Sequence, residues 1–204
     1  MAEELELLDR WRRGDDGAGN RLVRRHFHVV FRFLSNKVGD EATDLTQQTF
    51  LALVERRDRL DPAIGLRAYV LGVARHMLLR HLRGRYRDRA VFSPERVSAF
   101  ESPPDLGTSP TRRIAQGQDR VLLDRALRSL PIDHQIALEL HYWHELGIAQ
   151  IATVLECSPS SVKSRLFRAR HGLRRQVERL STRPSPLLER LEDELSSLRS
   201  FSGG

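Results

Sequence analysis

Apolar residues recur at intervals of three and four along most of the chain, and no strand-length run alternates, so the pattern predicts helices throughout. Leu5, Leu8 and Trp11 mark a first helix, Glu3 to Arg13, ended by Gly14-Asp15-Asp16-Gly17. Asn20 is expected to cap a second, Arg21 to Val38, with Leu22, Val23, Phe27, Val30, Phe31 and Leu34 apolar. A third, Glu41 to Arg57, carries Ala42, Leu45, Thr49, Ala52 and Leu53 on one side. Its first turn is acidic, with Glu41 and Asp44 at the positive end of the helix dipole. After a loop from Arg59 to Gly65, a fourth helix from Leu66 to about Arg85 turns Val70, Leu71, Val73, Ala74, Met77, Leu78 and Leu82 inward. Tyr69, Gly72, His76, Arg80 and Arg83 lie on its other face.

Four prolines between Ser93 and Thr111, with no apolar period, read as a linker. Helices follow at Gln116 to Ser129 and from Pro131 to Trp143. Ile148 to Arg175 then reads as two helices about a tight turn at Glu156-Cys157-Ser158. Ala152 is small enough for a close crossing, and Val162 faces back. Ser158 suits an N-cap and Pro159 the first helical position. Val162, Leu166, Ala169, Leu173 and Val177 form one apolar stripe; Ser160, Ser164, Phe167, Arg168 and His171 lie opposite, flanked by Lys163, Arg165 and Arg170. An ordinary helical hairpin with a solvated basic face would look similar. An exposed Phe167 and the recurrence of arginines favour a helix-turn-helix, with Phe167 against a thymine methyl or a sugar and the arginines on phosphates. After two more prolines, Leu187 to Phe201 is expected to form a short amphipathic helix. The fold class is therefore all-α: two small helical domains joined by a flexible linker. The domain limits are 1–90, a linker at 91–113, 114–180, and an extension at 181–204.

Charge adds placement to this picture. The net charge is +7, yet Arg67 to Arg89 alone is +6 and Ser158 to Leu180 is also +6, so the remainder is acidic. Two separate basic stretches predict two contacts with a polyanion. Only Lys37 and Lys163 are lysines, and a preference for Arg by itself says nothing of function. Cys157 is the sole cysteine, which excludes an internal disulfide, fits a reducing cytoplasm, and suits a small buried residue in the turn. No stretch reaches the roughly 18 apolar residues of a membrane span, and Glu3, Glu4 and Glu6 do not fit a secretory signal. There is no phosphate-binding glycine loop. His141 and His144 are spaced to pair but have no acid or cysteine set around them. No catalytic residue, metal site or cofactor is expected.

The motifs resemble the extracytoplasmic-function (ECF, group 4) sigma factors of the sigma-70 family, over about residues 5 to 178. Asp44-Leu45-Thr46-Gln47-Gln48-Thr49-Phe50-Leu51 resembles the D-L-x-Q-E-x-F-L of region 2.2. Leu66-Arg67-Ala68-Tyr69-Val70, Ala74-Arg75-His76 and His81-Leu82-Arg83 resemble regions 2.3 and 2.4. Leu127-Arg128-Ser129-Leu130-Pro131, Gln150-Ile151-Ala152 and the run from Ser161 to Arg170, SVKSRLFRAR, resemble region 4.

The resemblance implies a promoter-specificity subunit of RNA polymerase that directs recognition, DNA opening and initiation in the cytoplasm, on the nucleoid. Its domains would be region 2 at 1–90 and a region 4 helix-turn-helix at 114–180. Asp44, Gln47 and Gln48 would meet the β′ coiled coil of core polymerase, and the β flap would be a second polymerase contact. The loop near Arg59 to Gly65 with Tyr69, His76, Arg80 and Arg83 would capture and open the −10 element, Tyr69 serving either that face or the core. Ser160, Lys163, Ser164, Phe167, Arg168 and Arg170 would read the −35 element. The linker would run toward the RNA exit path, and an anti-sigma factor is a further expected partner.

The chain departs from the family pattern at several positions. His76 stands for a usual Asn, Arg80 for a frequent Asp, Tyr69 for Trp, and Glu156 for a common turn Gly. Thr43 and Gln48 replace acids, which raises phosphorylation of Thr43, Thr46 or Thr49 as a way to restore charge. A stand-alone helix-turn-helix regulator with an N-terminal sensor domain is the alternative. It leaves the basic stretch from Arg67 to Arg89 without a use.

Overall fold

Asp15, not Asn20, starts the long second helix. The computed structural model describes residues 2–60, 64–88 and 118–181, and in it Asp15 accepts a hydrogen bond from the Ala18 N–H at 3.0 Å. That bond, followed by the Arg10 guanidinium at 2.7 Å, holds the Asp15 carboxyl below its ordinary pKa. The helix therefore begins five residues before the expected position. Two glycines in its first turn did not prevent it, because Gly19 is where Trp11 packs: a Cβ there would fall inside the indole ring.

Among the described residues every regular element is helical. These are α1 (Ala2–Arg12), α2 (Asp16–Val38), α3 (Ala42–Glu55), α4 (Leu66–Asp88), α5 (Gln118–Arg128), α6 (Ile132–Tyr142), α7 (Ile148–Leu155) and α8 (Pro159–Leu180), with short 3₁₀ turns at Gly39–Glu41 and Arg57–Arg59. The all-α expectation holds. The proline-rich linker and the helix expected at Leu187 to Phe201 lie outside the described residues. No helix among the described residues is long and apolar enough to cross a membrane. The chain divides into two units, residues 1–93 with 149–156 and residues 94–148 with 157–204.

In the first unit α1, α3 and α4 pack on α2. The core is mostly aliphatic, with Phe33 at its centre: Leu22, Val30, Phe33, Leu34, Leu53, Val70, Leu71, Ala74 and Leu78 are buried. Of the apolar residues assigned to α2, Phe27 stays partly exposed, while Phe33, absent from that assignment, is fully buried. Starting at Asp15 does not change helical phase, so the reason is local. Phe27 leans on Phe31 and Phe50, with ring centroids 6.2 and 6.1 Å apart, at the edge of the core.

Two buried hydroxyls are satisfied within their own helix. The Thr46 and Thr49 hydroxyls donate to Ala42 O and Leu45 O, each at 2.7 Å, which removes both from reach of a kinase; Thr43 is exposed. Arg12 ties α1 to the chain after α3 by donating to Arg57 O at 3.2 Å and to Leu60 O. His26 Nε2 meets Glu4 Oε1 at 2.6 Å and joins α1 to α2.

In the second unit α8 packs on α5 and α6. The stripe Val162, Leu166, Ala169, Leu173 and Val177 is buried as expected, with Leu123, Ala126, Leu130, Ile136, Ala137 and Leu140 supplying the rest of the core. Pro131 precedes α6 as its N-cap residue rather than opening it.

Gly19→Ala is expected to cost about 1–3 kcal/mol of stability by forcing the Trp11 ring aside, read by chemical denaturation. A second prediction concerns pH. Desolvation lowers the His26 pKa below 6.5, against the opposing pull of Glu4, and Arg25 and Arg67 add to the lowering. The unfolded chain then takes up the proton first. The stability tied to neutral His26 is complete above 6.5 and is lost as pH falls through 6.5 toward the folded pKa. The thermal midpoint should drop between pH 7 and pH 5.5 more steeply in the native chain than in His26→Gln; parallel curves would remove His26 as the cause.

Candidate nucleic-acid interface

The second unit presents one long polar helix face. Ser158 starts α8 by accepting from the Ser161 N–H at 3.2 Å, and Pro159 occupies the first turn, where a missing N–H costs nothing. The preceding turn takes the left-handed backbone that its family position asks of glycine, but with Glu156, φ 53°. Such a residue costs roughly 1–2 kcal/mol. Cys157 is half-buried, so it does not fill the core as expected.

With the aliphatic stripe inward, Ser160, Lys163, Ser164, Phe167 and Arg168 are exposed. Phe167 leaves 51% of its surface open, and its ring meets His171 edge-on at 4.3 Å. Arg168 Nε donates back to Ser164 O at 3.3 Å, which leaves its remaining donors outward. His134 of α6 is held below its ordinary pKa first by partial burial, then by the Arg168 and Arg165 guanidiniums.

Arg170 is a correction. It was expected on the basic face, yet it is only 7% exposed. Its Nε donates to the Tyr142 hydroxyl at 2.7 Å and its guanidinium lies 5.4 Å from the Tyr142 ring centre. At about 100° per residue, position 170 falls at the margin of the apolar stripe, just beyond Val177, and the Tyr142 hydroxyl holds the guanidinium on the inner side. The sequence placed Arg170 on the flank of the polar face, where phase alone does not decide between inward and outward.

In the first unit, His76, Arg80 and Arg83 share an exposed face of α4, spaced i, i+4, i+7. Tyr69 is half-buried. Arg83 Nε donates to Leu79 O at 3.1 Å. Of the loop from Arg59 to Gly65, residues 61–63 lie outside the described residues and Leu60 is buried. On α3, Asp44, Gln47 and Gln48 are all exposed. Arg80 Nη2 donates to Gln48 Oε1 at 3.1 Å, so two positions assigned to different surfaces meet, and both are departures from the family pattern. Glu41, in the turn before α3, pairs with Arg85 of α4 at 3.0 Å.

The residue reading missed Leu51. It is 63% exposed on the α3 face that carries Gln47 and Gln48, with Val54 beside it. The signal was its i, i+4 spacing from Gln47; it was quoted in the motif and given no role. Among the described residues no three His, Cys, Asp or Glu gather as metal ligands.

Comparison with known proteins agrees with both halves. Residues 21–88 match the model of sigma-70 region 2 and residues 120–171 that of sigma-70, region 4. The RNA polymerase sigma-H factor of Pseudomonas aeruginosa is 27% identical over 184 residues, covering 87% of this chain and 95% of its own. The ECF RNA polymerase sigma-E factor of Escherichia coli is 27% identical over 191 residues, covering 90% of this chain and all of its own. Among solved structures, CnrH in complex with the cytosolic domain of CnrY has a similar fold, with TM-score 0.61, 19% identity, and 89% of this chain and 100% of that one covered. So does the sigma factor RpoE in complex with the anti-sigma factor NepR from Bartonella quintana, with TM-score 0.59, 22% identity, and 77% and 92% covered. The match at residues 21–88 replaces the sensor domain of the alternative reading. The chain belongs to the sigma-70 family of RNA polymerase sigma factors, which is not an enzyme family, and within it to the ECF class.

Proposed function

We propose that this sigma factor directs polymerase to promoters through three surfaces, each with its own residues. On α3, Asp44, Gln47, Gln48 and the exposed Leu51 dock on the β′ coiled coil of core polymerase. An apolar residue ringed by polar ones is the usual make-up of a docking centre. On α4, His76, Arg80 and Arg83, with half-buried Tyr69, hold the opened −10 strand through phosphate contacts and stacking. On α8, Ser160, Lys163, Ser164, Phe167 and Arg168 read the −35 element. The domain assignment follows, region 2 in residues 1–90 and region 4 in 114–180, with the β flap as the polymerase contact of region 4. An anti-sigma factor is a further proposed partner, in keeping with the RpoE–NepR complex of similar fold. The site of action is the cytoplasm, where polymerase and chromosome are.

The observation that carries the α8 assignment is the exposed Phe167 among hydroxyls and cations on one face of a capped helix. Phe167 gives an apolar surface for a thymine methyl, and Arg168 the donors for a guanine edge or a phosphate. Around it, the serines add hydrogen bonds to either base or backbone.

Two predictions test these assignments on the full chain. Leu51→Asp should weaken co-elution with core polymerase at least about tenfold, the scale of a docking hot spot, while leaving the circular-dichroism spectrum unchanged. Retained affinity would remove α3 as the docking face. With core polymerase and a pool of upstream fragments, the native chain should yield selective transcripts. Phe167→Ala and Arg168→Ala should each reduce discrimination at one −35 position by about 1–3 kcal/mol. Equal transcripts from all fragments would exclude α8 as the reader.

A further inference from the structure

Four cations lie between Lys163 and Arg170 on α8, and they differ in direction. Lys163 and Arg168 are exposed, Arg165 is half-buried, and Arg170 is buried. Arg170 has an unusual environment. Its Nε bonds the Tyr142 hydroxyl at 2.7 Å, its guanidinium lies over the Tyr142 ring, and its Nη2 is buried without a hydrogen-bond partner. No carboxylate pairs with it among the described residues. A leucine or methionine would fill this place without the cost of burying a charge. What arginine adds is direction.

The aliphatic stripe of α8 resists rotation of the helix, but apolar contacts are non-directional and restrain its exact setting only loosely. A charge-assisted hydrogen bond has a narrow range of length and angle. Tyr142 is itself held at the end of α6, with the His141 and Trp143 rings edge-on at 4.8 and 6.1 Å. Phe167 and Arg168 precede Arg170 by less than one turn, about 4.5 and 3 Å along the axis. A change in the setting at Arg170 therefore reaches them almost undiminished.

We propose that Arg170 is a positioning residue for promoter reading: clasped by Tyr142, it fixes the rotation and axial setting of α8 on α6, and so the places of Phe167 and Arg168. This rests on α8 being the −35 reader. Arg170 itself makes no phosphate contact.

The test uses the full chain assembled with core polymerase. The probes are a duplex selected by this holoenzyme from a randomised pool and a copy with the −35 half scrambled. Arg170→Met and Tyr142→Phe should each lower the ratio of the two affinities about three- to tenfold, the net worth of one hydrogen bond. The double variant should be no worse than the larger single. Arg170→Met should leave the salt dependence of binding unchanged, whereas Arg168→Ala should flatten it by about one unit. Tyr142→Phe loses only a hydroxyl and keeps the test open if Arg170→Met does not fold. An unchanged ratio with only a lower thermal midpoint overturns the proposal. So does a flattened salt slope in Arg170→Met. If Phe167→Ala and Arg168→Ala also leave the ratio unchanged, the −35 reading falls with it; if they lower it and the clasp variants do not, only the positioning role falls.

Discussion

Burial of one aliphatic stripe decides what α8 can do. With Val162, Leu166, Ala169, Leu173 and Val177 inward, the broad orientation of the helix is set, and between residues 160 and 168 the exposed side chains are hydroxyls, Lys163, Arg168 and the Phe167 ring. Each buried aliphatic side chain contributes about 1.5–3 kcal/mol, far more than any surface contact of this face. The chemistry displayed to DNA is therefore set by the core behind it. Arg170 lies at the margin of that stripe, and Tyr142 supplies the partner that makes a buried arginine tolerable there.

The first unit answers a different demand. α3 and α4 both pack on α2 and on each other, yet under the proposed function each keeps an outer face for a different partner. Short side chains make this feasible. Ala42, Thr46 and Thr49 of α3 and Ala68 and Ala74 of α4 are buried, which lets the helices approach closely while long polar side chains remain outside. The threonine hydroxyls return their hydrogen bonds to their own helix, so burial leaves no polar debt. The outer faces meet at their margins through Arg80 and Gln48. An acid at both positions, as in the family pattern, would place like charges there. The chain's two substitutions give a donor and an acceptor instead.

Helix existence was legible in the sequence because the apolar period is strong, and so was the split of α8 into an inner stripe and an outer face. Boundaries were less so. Asn20 and Asp15 are both good caps, and the choice rested on Trp11 accepting a glycine as its neighbour, a tertiary contact. Phe27 and Phe33 could not be ranked by period alone, since each lies near the edge of the apolar arc and the Phe27–Phe50 stack decides the matter. Outward residues on α3 and α4 were placed well by spacing. Leu51 was not recognised because an exposed leucine is seen only once its neighbours are known to be buried elsewhere. Arg170 was placed on the flank of the polar face, and its inward turn depends on Tyr142, a contact 28 residues away in sequence.

The inward turn of Arg170 and the half-burial of Arg165 have a consequence for how strongly this protein holds DNA by itself. Sequence-independent affinity grows with the number of phosphates neutralised, and in the stretch proposed to read DNA only Lys163 and Arg168 stand exposed. Such a helix discriminates between sequences better than it clings to any of them. Carried on polymerase, its encounter with the −35 element becomes intramolecular, and effective concentration replaces the missing charge. Under the proposed function, a weak intrinsic grip would add little cost when polymerase must let go of the promoter and move on.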